Sequence, residues 1–137
     1  MTEEHKLLRE AGFSDKVFEL YKNKVNVGLI MNPDVALAYM GPCGDTMKIY
    51  LRINERNVIE TAKFQYVGCA GAAACGSVIT SIAKGKRLED AKKITEQDLI
   101  NELNGLPELD CAKLAVTTLQ KAIAEYEKKE IVKKHTG

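Results

Sequence analysis

The chain has 137 residues, 45% of them hydrophobic, which is enough for one core and too little for two. Its 20 basic and 19 acidic residues leave a formal net charge of +1, removing the bulk electrostatic case for nucleic acid or an anionic membrane surface as partner. The start, MTEEHKLLREAGF, carries acids where a secretory leader needs a basic end and an apolar run, and no stretch approaches the roughly 18 apolar residues of a membrane span, so a cytoplasmic location is expected.

Ser14 to Lys24, SDKVFELYKNK, opens with a good N-cap and sets Val17, Leu20 and Tyr21 on one face, with Phe18 widening it, so it reads as a short amphipathic helix. After Asn32-Pro33-Asp34, VALAYM has strand character and runs into the breaker pair Gly41-Pro42. TMKIYLRI, from Thr46, alternates Met47, Ile49, Leu51 and Ile53 against Lys48, Tyr50 and Arg52, the pattern of a half-buried strand. The polar link NERN leads to VIETAKFQYV, where Ala62, Phe64 and Tyr66 alternate with Thr61, Lys63 and Gln65; an antiparallel hairpin follows.

At GCAGAAACGS the period changes, and Val78, Ile79, Ile82 and Ala83 form a helical stripe closed by Gly85. LEDAKKI gives about two turns, and Thr95 with Asp98 imitates a capping box before Leu99, Ile100 and Leu103. CAKLAVTTLQKAIAEYEKK sets Cys111, Leu114, Ala115, Leu119, Ala122, Ile123 and Tyr126 on one face and Lys and Glu on the other. Strands first and helices afterwards predict an α+β fold: a small antiparallel sheet of about three strands, helices on one face, and a long C-terminal amphipathic helix. One domain over residues 1–137 is expected, with frayed ends at about 1–12 and 131–137.

In a reducing compartment, four cysteines point to ligands or reactive thiols rather than structural disulfides. Cys43 precedes one strand and Cys69 ends its hairpin partner, so antiparallel geometry returns both to the same sheet edge. Cys69 and Cys111 each stand at a helix start, where the dipole and unpaired N–H groups favour thiolate. Each of these thiols is equally readable as inert packing, and Cys75, among Ala73, Ala74 and Val78, reads first as packing. Asp45 is a turn residue or a ligand, and Asp110 is placed as the N-cap of the last helix. His5 and His135 lie in terminal segments, which leaves a histidine triad or HExxH site without residues. VGCAGAAACG fails the GxGxxG spacing, there is no GxxxxGK[ST], and a dithiol redox centre lacks its CxxC.

GPCGDTMKIYLRI, the hairpin, AKFQYVGCAGAAA and a cysteine opening the last helix together resemble the U-type iron–sulfur cluster assembly scaffolds, the IscU and NifU N-terminal family, from about Ser14 to about Lys129. The resemblance implies a non-enzymatic scaffold on which a 2Fe-2S cluster is built from iron and sulfur supplied by a cysteine desulfurase and passed to recipient apo-proteins. It implies Cys43, Asp45, Cys69 and Cys111 as the ligand set. Soft thiolates hold iron firmly and a carboxylate is a harder, more exchangeable ligand, which suits a site that must release what it assembles. Many members carry histidine before the third cysteine; Asp110 stands there, so Asp45 and Asp110 both remain candidates for the fourth ligand. The segment recognised by an Hsp70-type chaperone is shortened to LPEL, Leu106 to Leu109, and lacks its lysine. Cys75 is extra, a persulfide relay or core. The alternative is a zinc-binding sulfur acceptor that stimulates a desulfurase, since zinc takes the same S3O tetrahedron, although the insertion of that SufU-type branch is missing between Cys69 and Cys111.

Overall fold

The computed structural model describes residues 1–42 and 44–136, with side chains as far as Lys133. The order along the chain is α1 (Glu3–Glu10), α2 (Asp15–Asn23), β1 (Val35–Met40), β2 (Thr46–Ile53), β3 (Ile59–Val67), α3 (Ala70–Ala83), α4 (Leu88–Ala91), α5 (Glu96–Glu102) and α6 (Asp110–Thr136). The three strands form one antiparallel sheet in the order β1-β2-β3, as the alternating patterns require. The register stacks Leu37, Ile49 and Phe64 in one row and Val35, Leu51 and Ala62 in the next, all turned toward α3 and α6. Phe64, Met47, Ile49 and Leu51 are fully buried there, and each such side chain contributes about 1.5–3 kcal/mol by leaving water.

α3 is apolar all round and is accordingly the central helix, between β3 on one side and α2 and α6 on the other. Its small residues permit that approach: a Cβ on Gly76 would run into the Phe64 ring. The hydroxyls it buries are paired, Ser77 Oγ donating to the Ala73 and Val25 carbonyls and Thr80 Oγ1 to that of Gly76. α3 stops at Lys84, followed by Gly85 at φ +88°, a left-handed position that favours glycine.

Caps legible in the sequence are formed. Ser14 Oγ accepts from Val17 N–H at 3.2 Å, and Thr95 and Asp98 exchange both bonds of a capping box. Four features differ from expectation. Residues 3–10, placed in a frayed end, form α1, which buries no residue and is held by its polar contacts to Asp15. The EIVKKHT tail continues α6 rather than lying outside it. LEDAKKI gives a single α-turn, because after Lys92 the bonding tightens to i−3, Lys93 N–H donating to the Asp90 carbonyl at 3.1 Å and Ile94 N–H to that of Ala91 at 3.2 Å. Asp110 is the first residue of α6 instead of its cap, since the Leu109 carbonyl accepts the first helical bond, from Lys113 N–H at 3.0 Å.

Candidate metal centre

The hairpin and two helix starts meet at one corner of the sheet. In the β2–β3 register Thr46 faces Val67, so Asp45, one residue before β2, lies beside Gly68, one residue after β3. The approach is close: a Cβ on Gly68 would sit 2.7 Å from both Cγ and Oδ2 of Asp45. Asp45 is held in that loop by Gly41, whose N–H donates to the Asp45 carbonyl at 2.8 Å.

Cys69 occupies the N-cap of α3 with extended backbone, φ −84° and ψ 177°, and Cys111 is the second residue of α6. Their sulfurs are 3.6 Å apart. One carboxylate oxygen of Asp45 and the two sulfurs all lie within 4.8 Å of one another, a separation that a single metal ion or a small cluster can span. Gly71 keeps the space open: its absent Cβ would lie 3.1 Å from Cys111 Sγ and 3.4 Å from Cys69 Sγ.

The two thiols titrate as a pair. Cys69 is lowered to about 6, first because Cys111 donates to it, then through the Ala72 and Gly71 amides at the start of α3; partial burial and Asp45 oppose the shift. Cys111 is pushed strongly up, because it holds the shared proton, is buried, and faces the Cys69 thiolate and Asp45. At neutral pH the corner therefore carries one thiolate and one thiol. Cys75 is pushed up to about 12 by burial, with a further push from Cys69, so it is a poor nucleophile and packs in the core.

Of the residues singled out in the sequence, Asp45, Cys69 and Cys111 are thus brought together. Cys43 lies outside the described residues, as does the side chain of His135. Asp110 is exposed and is not among the group of converging donors; it lines a shallow cavity with Tyr39, Pro42 and Lys113 beside that group. His5 is occupied elsewhere, its Nε2 lying 2.7 Å from Asp15 Oδ1. Sequence reasoning missed the roles of Gly68 and Gly71, although both flank Cys69 in GCAG, and it missed Phe13, whose Cε1 also comes within 3.1 Å of the Gly71 Cβ position. Only a spatial contact reveals Phe13.

A three-stranded antiparallel sheet backed by helices, two of which begin beside cysteines next to a hairpin carboxylate, defines a class of small α+β proteins with a corner of sulfur and oxygen donors that could hold a metal. The chain belongs to the NifU-like N-terminal domain family, which it matches over residues 12–133. It is 43% identical over 120 residues to the iron–sulfur cluster assembly scaffold protein IscU 1 of Archaeoglobus fulgidus, covering 85% of this chain and 78% of that one. To the scaffold protein IscU of Escherichia coli K12 it is 37% identical over 126 residues, covering 88% and 98%. Among solved structures, an N-terminal NifU-like protein from Brucella abortus superposes with a TM-score of 0.66 at 20% identity, covering 85% of this chain and 94% of that one, a likeness of fold.

Proposed function

We propose that this protein is a scaffold on which an iron–sulfur cluster of the 2Fe-2S type is assembled and then released to recipient apo-proteins. The observation that carries the reading is the convergence of two cysteine sulfurs and one carboxylate within 4.8 Å, with one sulfur ionised near neutral pH. Cys43, two residues before Asp45 and three before the first residue of β2, supplies the third thiol in this proposal. Relatives named as cluster assembly scaffolds at 37% and 43% identity support it.

Each residue then has a chemical task. The Cys69 thiolate is the nucleophile that meets incoming sulfur: it attacks the outer sulfur of a cysteine desulfurase persulfide, the donor S–S bond breaks, and the donor leaves as a thiolate. Reducing that sulfur to sulfide takes two electrons from a separate reductant. Cys111 releases its proton when iron arrives, because the ligating form of cysteine is the thiolate. Asp45 supplies the exchangeable oxygen, so cargo held by sulfur can still leave.

Anaerobic incubation with ferrous iron, cysteine and a cysteine desulfurase tests this. The wild-type protein is expected to gain the visible absorption of a cluster with matching iron and sulfide, and Cys43→Ser, Cys69→Ser and Cys111→Ser to gain little. Desulfurase stimulation that needs zinc, with no sulfide retained when iron is present, would instead identify a zinc-bound sulfur acceptor.

A further inference from the structure

The two sulfurs of the metal centre differ in access: Cys69 is exposed, whereas Cys111 is 8% exposed although its sulfur points into the same corner. Part of the covering is the Phe13 ring. Phe13 Cε1 and Cys111 Sγ each stand 3.1 Å from the position a Gly71 Cβ would take, so ring edge and sulfur crowd one point over the start of α3. Phe13 is half-buried in the short link between α1 and α2.

The segment before Phe13 is held mainly from outside the core, with half-buried Leu8 resting on the core's edge. α1 buries no residue. Its attachment is a clasp on Asp15: Arg9 donates from Nε at 2.7 Å and from Nη2 at 2.6 Å, and His5 Nε2 approaches at 2.7 Å with its ring stacked on Phe18, centroids 4.2 Å apart. All of these groups are at or near the surface, where ion pairs hold weakly and elements open locally without global unfolding. The link turns at Gly12, with φ +94° and Pro107 Cβ 3.2 Å from where its own Cβ would be. Beyond it the chain is pinned, because Ser14 Oγ donates to the Leu103 carbonyl at 2.5 Å.

We propose that α1 and Phe13 form a cover over Cys111, kept shut by the Asp15 clasp and pivoting at Gly12, which must lift before Cys111 can take a ligand's place. The closed cover leaves Cys69 as the sulfur that a donor meets first and keeps the second thiol away from water and oxidant. An opened cover frees the ring's space beside both sulfurs at the cost of the edge contact that half-buried Leu8 makes with the core, while no fully buried residue of α1 has to leave it. This goes beyond the scaffold reading and rests on access alone.

The test is the initial rate of iodoacetamide alkylation at each cysteine, read by peptide mass spectrometry without iron or desulfurase, so the scaffold reading can stand or fall separately. A Cys69→Ser background in every arm removes the competing exposed thiol, the Cys111 peptide is read separately from that of Cys43, and Cys75 reports global opening because it is buried in the core. The pair His5→Gln with Arg9→Gln is expected to accelerate Cys111 by about twofold to fivefold, the factor that loss of surface ion pairs provides, and Phe13→Ala, which removes the ring itself, to accelerate it as well, with Cys75 unchanged in both. Equal Cys111 rates in all arms overturn the cover, as does acceleration of Cys75 in step with Cys111.

Discussion

Replacing Cys111 with alanine isolates what makes Cys69 reactive. Cys69 is lowered from 9.0 to about 6, and the hydrogen bond from Cys111 is the largest cause. At pH 7 a thiol of pKa about 6 is about nine-tenths ionised, and one at the ordinary value about one-hundredth, so the full effect is worth roughly ninetyfold in thiolate. In Cys111→Ala the Ala72 and Gly71 amides still favour thiolate, while burial and Asp45 still oppose it, so the midpoint rises toward the ordinary thiol value. The sign follows from the proton: the donor stabilises only the ionised Cys69, and its removal makes reactivity appear at higher pH. The assay is the pH profile of alkylation at Cys69 in metal-free protein, followed by peptide mass spectrometry. Cys111→Ser keeps a hydroxyl donor and is expected to stay near the wild-type midpoint. An unchanged midpoint of about 6 in Cys111→Ala would refute the reasoning and assign the shift to the helix start.

Gly68→Ala should displace the Asp45 carboxylate, since ordinary contact begins near 3.4 Å and the new Cβ would stand at 2.7 Å; weaker cobalt(II) binding with an unchanged circular dichroism spectrum is expected, and unchanged affinity would argue against Asp45 as a donor. Asp45→Ala should give a cluster that persists longer and transfers more slowly to an apo-ferredoxin, because a harder, exchangeable ligand has gone; faster loss speaks against that role. Gly76→Ala should lose about 1–2 kcal/mol in urea unfolding, overpacking against Phe64 outweighing the roughly 1 kcal/mol gained in helix propensity; a more stable variant contradicts the packing described. Cys75→Ser should cost about 1–3 kcal/mol by burying a hydroxyl without altering cobalt binding, and lost binding would return Cys75 to the functional set.

What the sequence made legible were features carried by short-range pattern. The alternation of Met47, Ile49 and Leu51 against Lys48 and Arg52 gave β2 its burial, and the caps at Ser14 and Thr95 lie within three residues of the amides they bind. The antiparallel return of β3 to the start of β2 follows from the hairpin, the geometry that set Cys69 beside the Cys43 end of β2 in advance; Cys43 lies outside the described residues, and Asp45, implied by the resemblance, is the loop donor found next to Cys69. α1 escaped because EEHKLLRE shows little apolar face and is stabilised through Asp15, outside its own length. Tyr50 is similarly out of pattern: it sits on the sheet face away from the helices yet is 8% exposed, covered by the Lys48 amine 4.9 Å from its ring and bonded through its hydroxyl to Gln65. In the metal centre, residue types revealed the donors, whereas the crowding of Phe13, Gly68 and Gly71 around them is set by packing between elements far apart in the chain. Asp110 shows the limit at an element end, where one residue of difference turns a cap into the first helical position and leaves its carboxylate outside the converging group.

Iron X-ray absorption of the anaerobically loaded protein, compared with loaded Asp45→Ala, probes the donor set itself. Bridging sulfide with terminal ligation by cysteine sulfur plus one oxygen, the oxygen vanishing in Asp45→Ala, is the result predicted here. An all-sulfur shell in the wild type, or an oxygen contribution untouched by the substitution, would contradict the claim that Asp45 completes the site.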